Sequence, residues 1–299
     1  MRLTVLGSTA LDSIETPFGN RKEILGGSAT YASVSASFFT PVNLMSVVGS
    51  DFPARYLSMF DKRGIDTSSL EIKKGKTFRW KAKYNYDMSV ATTLSTKLGV
   101  FDGYMPEVPD SLSSSCNLLL ANIDPDLQNH VLKKLKPAGL VACDTMNLWI
   151  DLKKRSLLKL LKKVDLLLLN DAEARQLSGE EGLFAAAKWI SSKGVKMVVI
   201  KKGEHGALFF SKKLGFIVPA YLLEVIKDPT GAGDTFAGAM MGYLSRCRKI
   251  NDRNLRRGLV YGTIMSSFAV ERFSADGLIK TTPKDIRDRY SHFEKLTRF

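Results

Sequence analysis

From about residue 116 onward, short apolar runs punctuate the chain: Leu118-Leu119-Leu120-Ala121, Leu140-Val141-Ala142-Cys143, Leu166-Leu167-Leu168-Leu169 and Val195-Lys196-Met197-Val198-Val199-Ile200. Runs this short, without alternation and separated by amphipathic stretches, fit strands buried on both faces of a parallel sheet. They predict an α/β fold of the doubly wound kind, a mostly parallel sheet flanked by helices. Three of the runs lead to a polar residue, Asn122, Asp144 or Asn170. Those residues fall at the carboxyl edge of the sheet, where open α/β folds bind ligands. Residues 72–95 have a different texture. Thr77-Phe78-Arg79-Trp80-Lys81-Ala82-Lys83-Tyr84-Asn85-Tyr86 alternates apolar or aromatic with polar positions, which predicts a half-buried antiparallel strand pair. Joined with residues 8–20 and 40–50, it reads as a small β lid over the sheet, and a static edge hairpin fits the alternation equally well. Without a repeat, low-complexity tract or linker, residues 1–299 read as a single domain.

Composition narrows the class. Hydrophobic residues make up 44% and charged residues 25% of the chain, ordinary globular values, and no apolar run reaches the ~18 residues of a membrane span. Met1-Arg2-Leu3-Thr4-Val5-Leu6-Gly7 is too short an apolar stretch for a signal peptide and predicts a first strand. The expected location is the cytoplasm. Three scattered cysteines, Cys116, Cys143 and Cys247, give neither a disulfide framework nor a zinc-site spacing. A net charge of +14 raises nucleic acid as a partner. The basic residues, however, lie in helix-like stretches such as Asp151-Leu152-Lys153-Lys154-Arg155, where a solvated helix face accounts for them.

The segment with the most chemistry is Asp228-Pro229-Thr230-Gly231-Ala232-Gly233-Asp234-Thr235-Phe236, which runs into the small-residue stretch Ala237-Gly238-Ala239-Met240-Met241-Gly242. Glycines let a ligand approach the backbone, and N–H groups at a helix start, with about half a positive charge from the macrodipole, bind anions. An acid inside such an anion hole repels phosphate, so Asp234 points to proton abstraction from an attacking hydroxyl. Taken alone, the segment also fits a capped helix start behind a tight turn.

Here the chain resembles the ribokinase family, also called the PfkB carbohydrate kinase family. The C-terminal signature D-[TP]-T-G-A-G-D-x-F-x-x-[GA] is matched by residues 228–238. A glycine pair opening a small-residue helix is matched by Gly26-Gly27-Ser28-Ala29-Thr30-Tyr31-Ala32-Ser33, a strand-then-N-x-x-E element by Asn170-Asp171-Ala172-Glu173, and a strand-then-G-x-x-G turn by Lys201-Lys202-Gly203-Glu204-His205-Gly206. All four occur in the family's order. The resemblance implies a ribokinase-like fold and an ATP-dependent phosphotransferase. Asp234 would be the catalytic base, with the Gly231, Ala232 and Gly233 amides holding the transferred phosphoryl group. Asn170 and Glu173 would organise Mg²⁺ through water, and they equally form an N-cap and capping box. Lys201, Gly203, Gly206, Asp228 and Thr230 would line the nucleotide site, with the variable-position His205 left on the surface. Asp12, Gly26, Gly27, Tyr31 and Asn122 would meet the acceptor, Asp12 receiving hydrogen bonds from vicinal hydroxyls.

Tyr31 stands where many members carry a substrate-contacting Asn, and Pro229 replaces a common Thr. In many members the latter stretch also shapes a monovalent-cation site, which leaves potassium an open alternative beside ATP and Mg²⁺. The polar residues Asp124, Asp144 and Asn147, with Trp149, also face the expected cleft, as substrate contacts or as loop caps. A small sugar is the expected acceptor. Tyr31 and the aromatic Phe78, Trp80 and Tyr84 keep a nucleoside as the alternative, and a catalytically silent ligand sensor is the reading from another class. The lid is a candidate homodimer surface. Because the basic residues are scattered and charges are screened beyond roughly 8 Å at about 150 mM salt, no DNA binding is expected in a filter-binding or mobility-shift assay under those conditions.

Overall fold

The computed structural model describes residues 1–298 except 89, 110, 111, 113–115, 136 and 138. Its strands, in chain order, are β1 (Arg2–Leu6), β2 (Ala10–Thr16), β3 (Gly19–Gly26), β4 (Val42–Gly49), β5 (Ile65–Asp66), β6 (Leu70–Lys73), β7 (Phe78–Tyr84), β8 (Ala91–Lys97), β9 (Cys116–Leu120), β10 (Val141–Asp144), β11 (Leu166–Asn170), β12 (Met197–Lys201), β13 (Ala207–Ser211) and β14 (Gly215–Val218). The main sheet runs β14-β13-β12-β11-β10-β9-β1-β4-β5, with β6 also paired to β4. From β12 to β4 every neighbour is parallel, and β13 and β14 extend the sheet antiparallel.

The leucine-rich strands need cover on both faces, and they receive it. Leu119, Leu166 and Leu168 pack into one apolar cluster with Ala32, Phe236, Met240 and Leu259. Their chain neighbours Leu118, Leu120, Leu167 and Leu169 pack into a second with Val131, Leu157, Leu177 and Ile190. Helices 28–36, 232–246 and 252–270 therefore cover one face, and helices 125–134, 154–161, 171–178 and 183–192 the other. β1 sits between β4 and β9, so the chain order reverses there. The crevice at the carboxyl ends of β1 and β9 is the topological switch point.

A second, four-stranded sheet has the order β3-β2-β7-β8. β2 pairs antiparallel with β3 and parallel with β7, and β7 pairs antiparallel with β8. Residues 40–50, expected in the lid, lie instead in the main sheet as β4, buried along its whole length. Val42, Leu44, Met45, Val47 and Val48 place apolar groups on both faces of the strand, and only the main sheet covers both. The small sheet reaches further along the first hairpin than residue 20: β3 ends at Gly26, its exposed residues Asn20 to Glu23 hiding any alternation. Ser89, in the expected lid range, lies outside the described residues. Among those described, no helix is long and apolar enough to cross a membrane.

Helices 28–36 and 232–246 press together through glycine. A side chain on Gly238 would come within 2.2 Å of the Ala32 carbonyl oxygen, and one on Gly242 within 2.8 Å of Ala36 Cα. The Ser35 hydroxyl donates to the Thr235 carbonyl at 2.8 Å across the same contact. Because backbone cannot yield there, Gly238→Ala is expected to cost about 1–3 kcal/mol, read as a lower urea midpoint with an unchanged m-value.

Candidate active site

The loop that enters helix 232–246 is held from several sides. Asp228, 1% exposed, accepts from the Thr230 N–H and the Ser274 N–H, both at 3.0 Å. The Thr230 hydroxyl donates to Tyr84 Oη of β7 at 3.2 Å, and Thr16 Oγ1 of β2 donates to the Lys227 carbonyl at 3.0 Å. The loop is thus tied to the small sheet. Gly231, the helix N-cap, has φ 75°, and a side chain there would meet the Tyr31 ring at 2.4 Å. Position and torsion both require glycine. Of the three amides expected in the anion hole, that of Ala232 is already engaged by the Pro229 carbonyl at 3.2 Å.

Asp234 lies in the first turn of this helix. Burial, then the charge of Asp144, raise its pKa to about 7, with Lys201 opposing and Glu173 adding. A carboxyl with that value changes protonation near neutrality, as a general base requires.

Lys201 ends β12 and reaches over β11 to Asp144 at the end of β10, Nζ to Oδ2 2.7 Å, with side-chain exposures of 16% and 3%. Burial works against its charge, but Asp144, Glu173 and Asp234 outweigh it and hold the ammonium pKa above its usual value. The second Asp144 oxygen accepts the Thr145 N–H at 2.8 Å. Nζ also lies 3.0 Å from where a Gly233 side chain would start.

Asp12 of β2 is 3% exposed, and its Oδ1 is buried without a hydrogen-bond partner. Burial first, then Asp228 and Asp234, raise its pKa to about 8. Gly26 and Gly27 allow this crowding. A side chain on Gly26 would run into the Asp12 carboxylate, and one on Gly27, at φ 96°, into the Ser8 carbonyl at 2.5 Å. Ser8 and Ser28 then clasp the turn, each N–H donating to the other's hydroxyl oxygen at 3.2 and 3.0 Å.

The remaining expected residues divide. Tyr31, 2% exposed, is the floor beneath Gly231 and offers little surface to a substrate. The Asn122 amide is already engaged, donating to Met146 Sδ at 3.2 Å and accepting from Trp149 Nε1 at 2.9 Å. Asp124 caps helix 125–134 by accepting the Asp126 N–H, and Asn147 is exposed at the start of helix 147–152. Asn170 and Glu173 form the reciprocal capping box, at 2.7 and 2.8 Å. Burial, with Asp144 adding and Lys201 opposing, raises Glu173 to about 7. Gly203 (φ 55°) is exposed with open space beside it, and Gly206 (φ 85°) packs against the Val218 carbonyl. His205 is exposed.

Sequence reasoning missed Gln128 and the pairing of Asp144 with Lys201. Gln128, fully buried, donates through Nε2 to the Leu120, Ala121 and Asp144 carbonyls at 3.2, 2.9 and 3.3 Å, tying together the carboxyl ends of β9 and β10. A glutamine on the apolar face of helix 125–134, beside Leu127 and Val131, was the available signal.

Residues 4–282 match the pfkB family carbohydrate kinase profile. A cytidine kinase from Thermococcus kodakarensis is 30% identical over 256 residues, 84% of this chain and 91% of the relative. Among solved structures, Burkholderia thailandensis nucleoside kinase in complex with inosine superposes with a TM-score of 0.79 at 17% identity, over 99% of this chain and 97% of the other. A Thermotoga maritima ribokinase gives 0.76 at 22%, over 98% and 99%.

The raised Asp12 pKa fixes a stability prediction. A carboxyl whose folded value, about 8, lies above its unfolded value takes stability away as pH rises through that interval and none below it. Asp12→Asn is therefore expected to raise the thermal midpoint at pH 8.5, with the gain shrinking to nothing near pH 4. A difference independent of pH would contradict this assignment.

Proposed function

The chain belongs to the pfkB family of carbohydrate kinases and is an ATP-utilising phosphotransferase, and on that premise we propose that its acceptor is a nucleoside. One observation carries the choice. Asp12 sits among apolar neighbours on the small sheet: its cross-strand partners are Trp80 on β7 and Ile24 on β3. Two residues further along β2 and β7, Ile14 pairs with Ala82, packed with Tyr84 in an apolar cluster. A free sugar carries hydroxyls on every side, and those facing this wall would be left unpaired at about 1–3 kcal/mol each. A nucleoside offers a vicinal diol to the single carboxyl and a flat base to the apolar side chains. The likeness to a cytidine kinase over most of both chains supports the same reading.

In the step itself, the attacking acceptor hydroxyl gives its proton to Asp234 as its oxygen bonds to the γ-phosphorus. The bond to the bridging oxygen breaks, and ADP leaves with that electron pair. General-base help of this kind is worth about 10²- to 10⁴-fold. The amides at the head of helix 232–246, with the dipole behind them, meet the charge spread over the phosphoryl oxygens.

Asn170 and Glu173 would hold Mg²⁺ through water. One oxygen of each is spent in the capping box, which leaves a second Glu173 oxygen, and no group of three or more metal-binding side chains occurs among the described residues. That sparse donor set suits an ion that keeps most of its water and binds largely through phosphates. When bound, the ion would neutralise charge on the transferred group.

Coupled ADP release over a panel of nucleosides and free sugars is expected to favour a nucleoside by at least ~10-fold in kcat/KM. Preference for ribose or fructose would overturn the acceptor assignment, and ligand binding without ADP release would favour the silent sensor. Asp234→Asn is expected to lower kcat by about 10³-fold with ATP affinity preserved. In the unaltered protein, kcat/KM should fall with acidity below about pH 7 as Asp234 takes up its proton. Asp12→Ala should raise the acceptor KM far more than that of ATP.

A further inference from the structure

Lys201 occupies an unusual place. The N-terminus of a helix carries partial positive charge, so an ammonium beside it is repelled unless anions surround it. Here Nζ lies 3.0 Å from the side-chain position of Gly233, in the first turn of helix 232–246, with Cε and Cδ at 3.6 and 3.8 Å. The lysine stem thus runs along the open face that this glycine leaves. Its only hydrogen-bond partner among the described contacts is Asp144 Oδ2 at 2.7 Å. Asp144 is in turn fixed by the Thr145 N–H on its other oxygen and by Gln128 on its carbonyl. The outcome is a half-buried cation, anchored to Asp144 on one side and lying against the first turn of helix 232–246, which carries Asp234, on the other.

We propose that Lys201 is a catalytic residue that binds the γ-phosphoryl group during transfer, and that Asp144 is the positioning residue that keeps its ammonium over the head of helix 232–246. An ammonium has three N–H donors and Asp144 takes one, so two remain for phosphoryl oxygens. Charge on those oxygens is met by a cation and a helix start already in place, without reorganisation at the moment of reaction. Gly233 has a second role beyond letting phosphate near the backbone, since it vacates the volume through which the lysine passes. This assignment rests on the kinase reading and names the group that does the work of a trans-acting arginine from within the same chain.

Two measurements test it, on full-length protein whose folding is checked by thermal unfolding. The first is kcat and KM with the nucleoside that the unaltered protein turns over best. The second is the affinity for ADP against that for a non-hydrolysable ATP analogue. Lys201→Met is expected to lower kcat by about 10²- to 10³-fold. It should weaken the analogue by about tenfold or more and leave ADP within about twofold, because one charge-assisted contact to the γ-phosphate is lost. Lys201→Arg should recover most of the loss, and Asp144→Asn should lower kcat by about tenfold with the same selective weakening of the analogue. Gly233→Ala, which displaces the flexible end of the lysine, should reproduce part of the Lys201→Met defect and add little to it in the double variant. Equal weakening of ADP and analogue, or a Lys201→Met kcat within about threefold of the unaltered protein, overturns the proposal. If no acceptor stimulates ADP release by the unaltered protein, it is the kinase reading that has failed, and the ADP-against-analogue comparison still reports whether Lys201 touches the γ-phosphate.

Discussion

Everything at the carboxyl edge depends on how closely helices 28–36 and 232–246 approach each other. Gly238 and Gly242 set that approach against Ala32 and Ala36, and Gly231 continues it by lying on the Tyr31 ring. With larger residues at these positions, the head of helix 232–246 would move away from the Gly26-Gly27 turn. Asp12, from a strand of the small sheet, and Asp234, from the first turn of helix 232–246, would then no longer act on one small volume. The small-residue stretch after Asp234 is therefore a packing requirement that fixes the distance between two chemical groups.

A second constraint is charge. Asp12, Glu173 and Asp234 are all buried, and burial raises all three, with Asp228 and Asp234 adding at Asp12, Asp144 adding at Glu173, and Asp144 and Glu173 adding at Asp234. The half-buried Lys201 faces Asp144, Glu173 and Asp234. Such crowding opposes folding and persists because the surrounding strands and helix caps over-determine it. Burial first, with Asp144 next, leaves Asp234 near neutrality, where a base is useful, and Asp12 keeps an unmet oxygen in an apolar wall, where a diol can meet it.

The parallel sheet was readable because strands buried on both faces must be apolar at every position, and Leu118–Leu120 and Leu166–Leu169 are. Val42–Val48 also carries apolar groups on both faces, but the buried Asn43 and Ser46 interrupt the run, and residues 40–50 read with the expected lid instead. The capping box at Asn170 and Glu173 was legible from spacing alone, since its hydrogen bonds span three residues of one helix turn. Tyr31 and Asn122 were legible as neighbours of the cleft but not as what they are, a floor and a brace for Trp149, because those roles are set by residues 200 and 27 positions away.

By itself the sequence determined the doubly wound fold class, the order of the four glycine-rich and polar elements, and the identity of the acid at the helix start. These are local matters of periodicity, torsion and spacing. Only the tertiary structure decided that Lys201 reaches across a strand to Asp144 and along Gly233, that Gln128 ties two strand ends together, and that Asp12 lies among Ile24 and Trp80. Those contacts join side chains brought together by sheet order and register, and no pattern along the chain encodes which strand ends become neighbours.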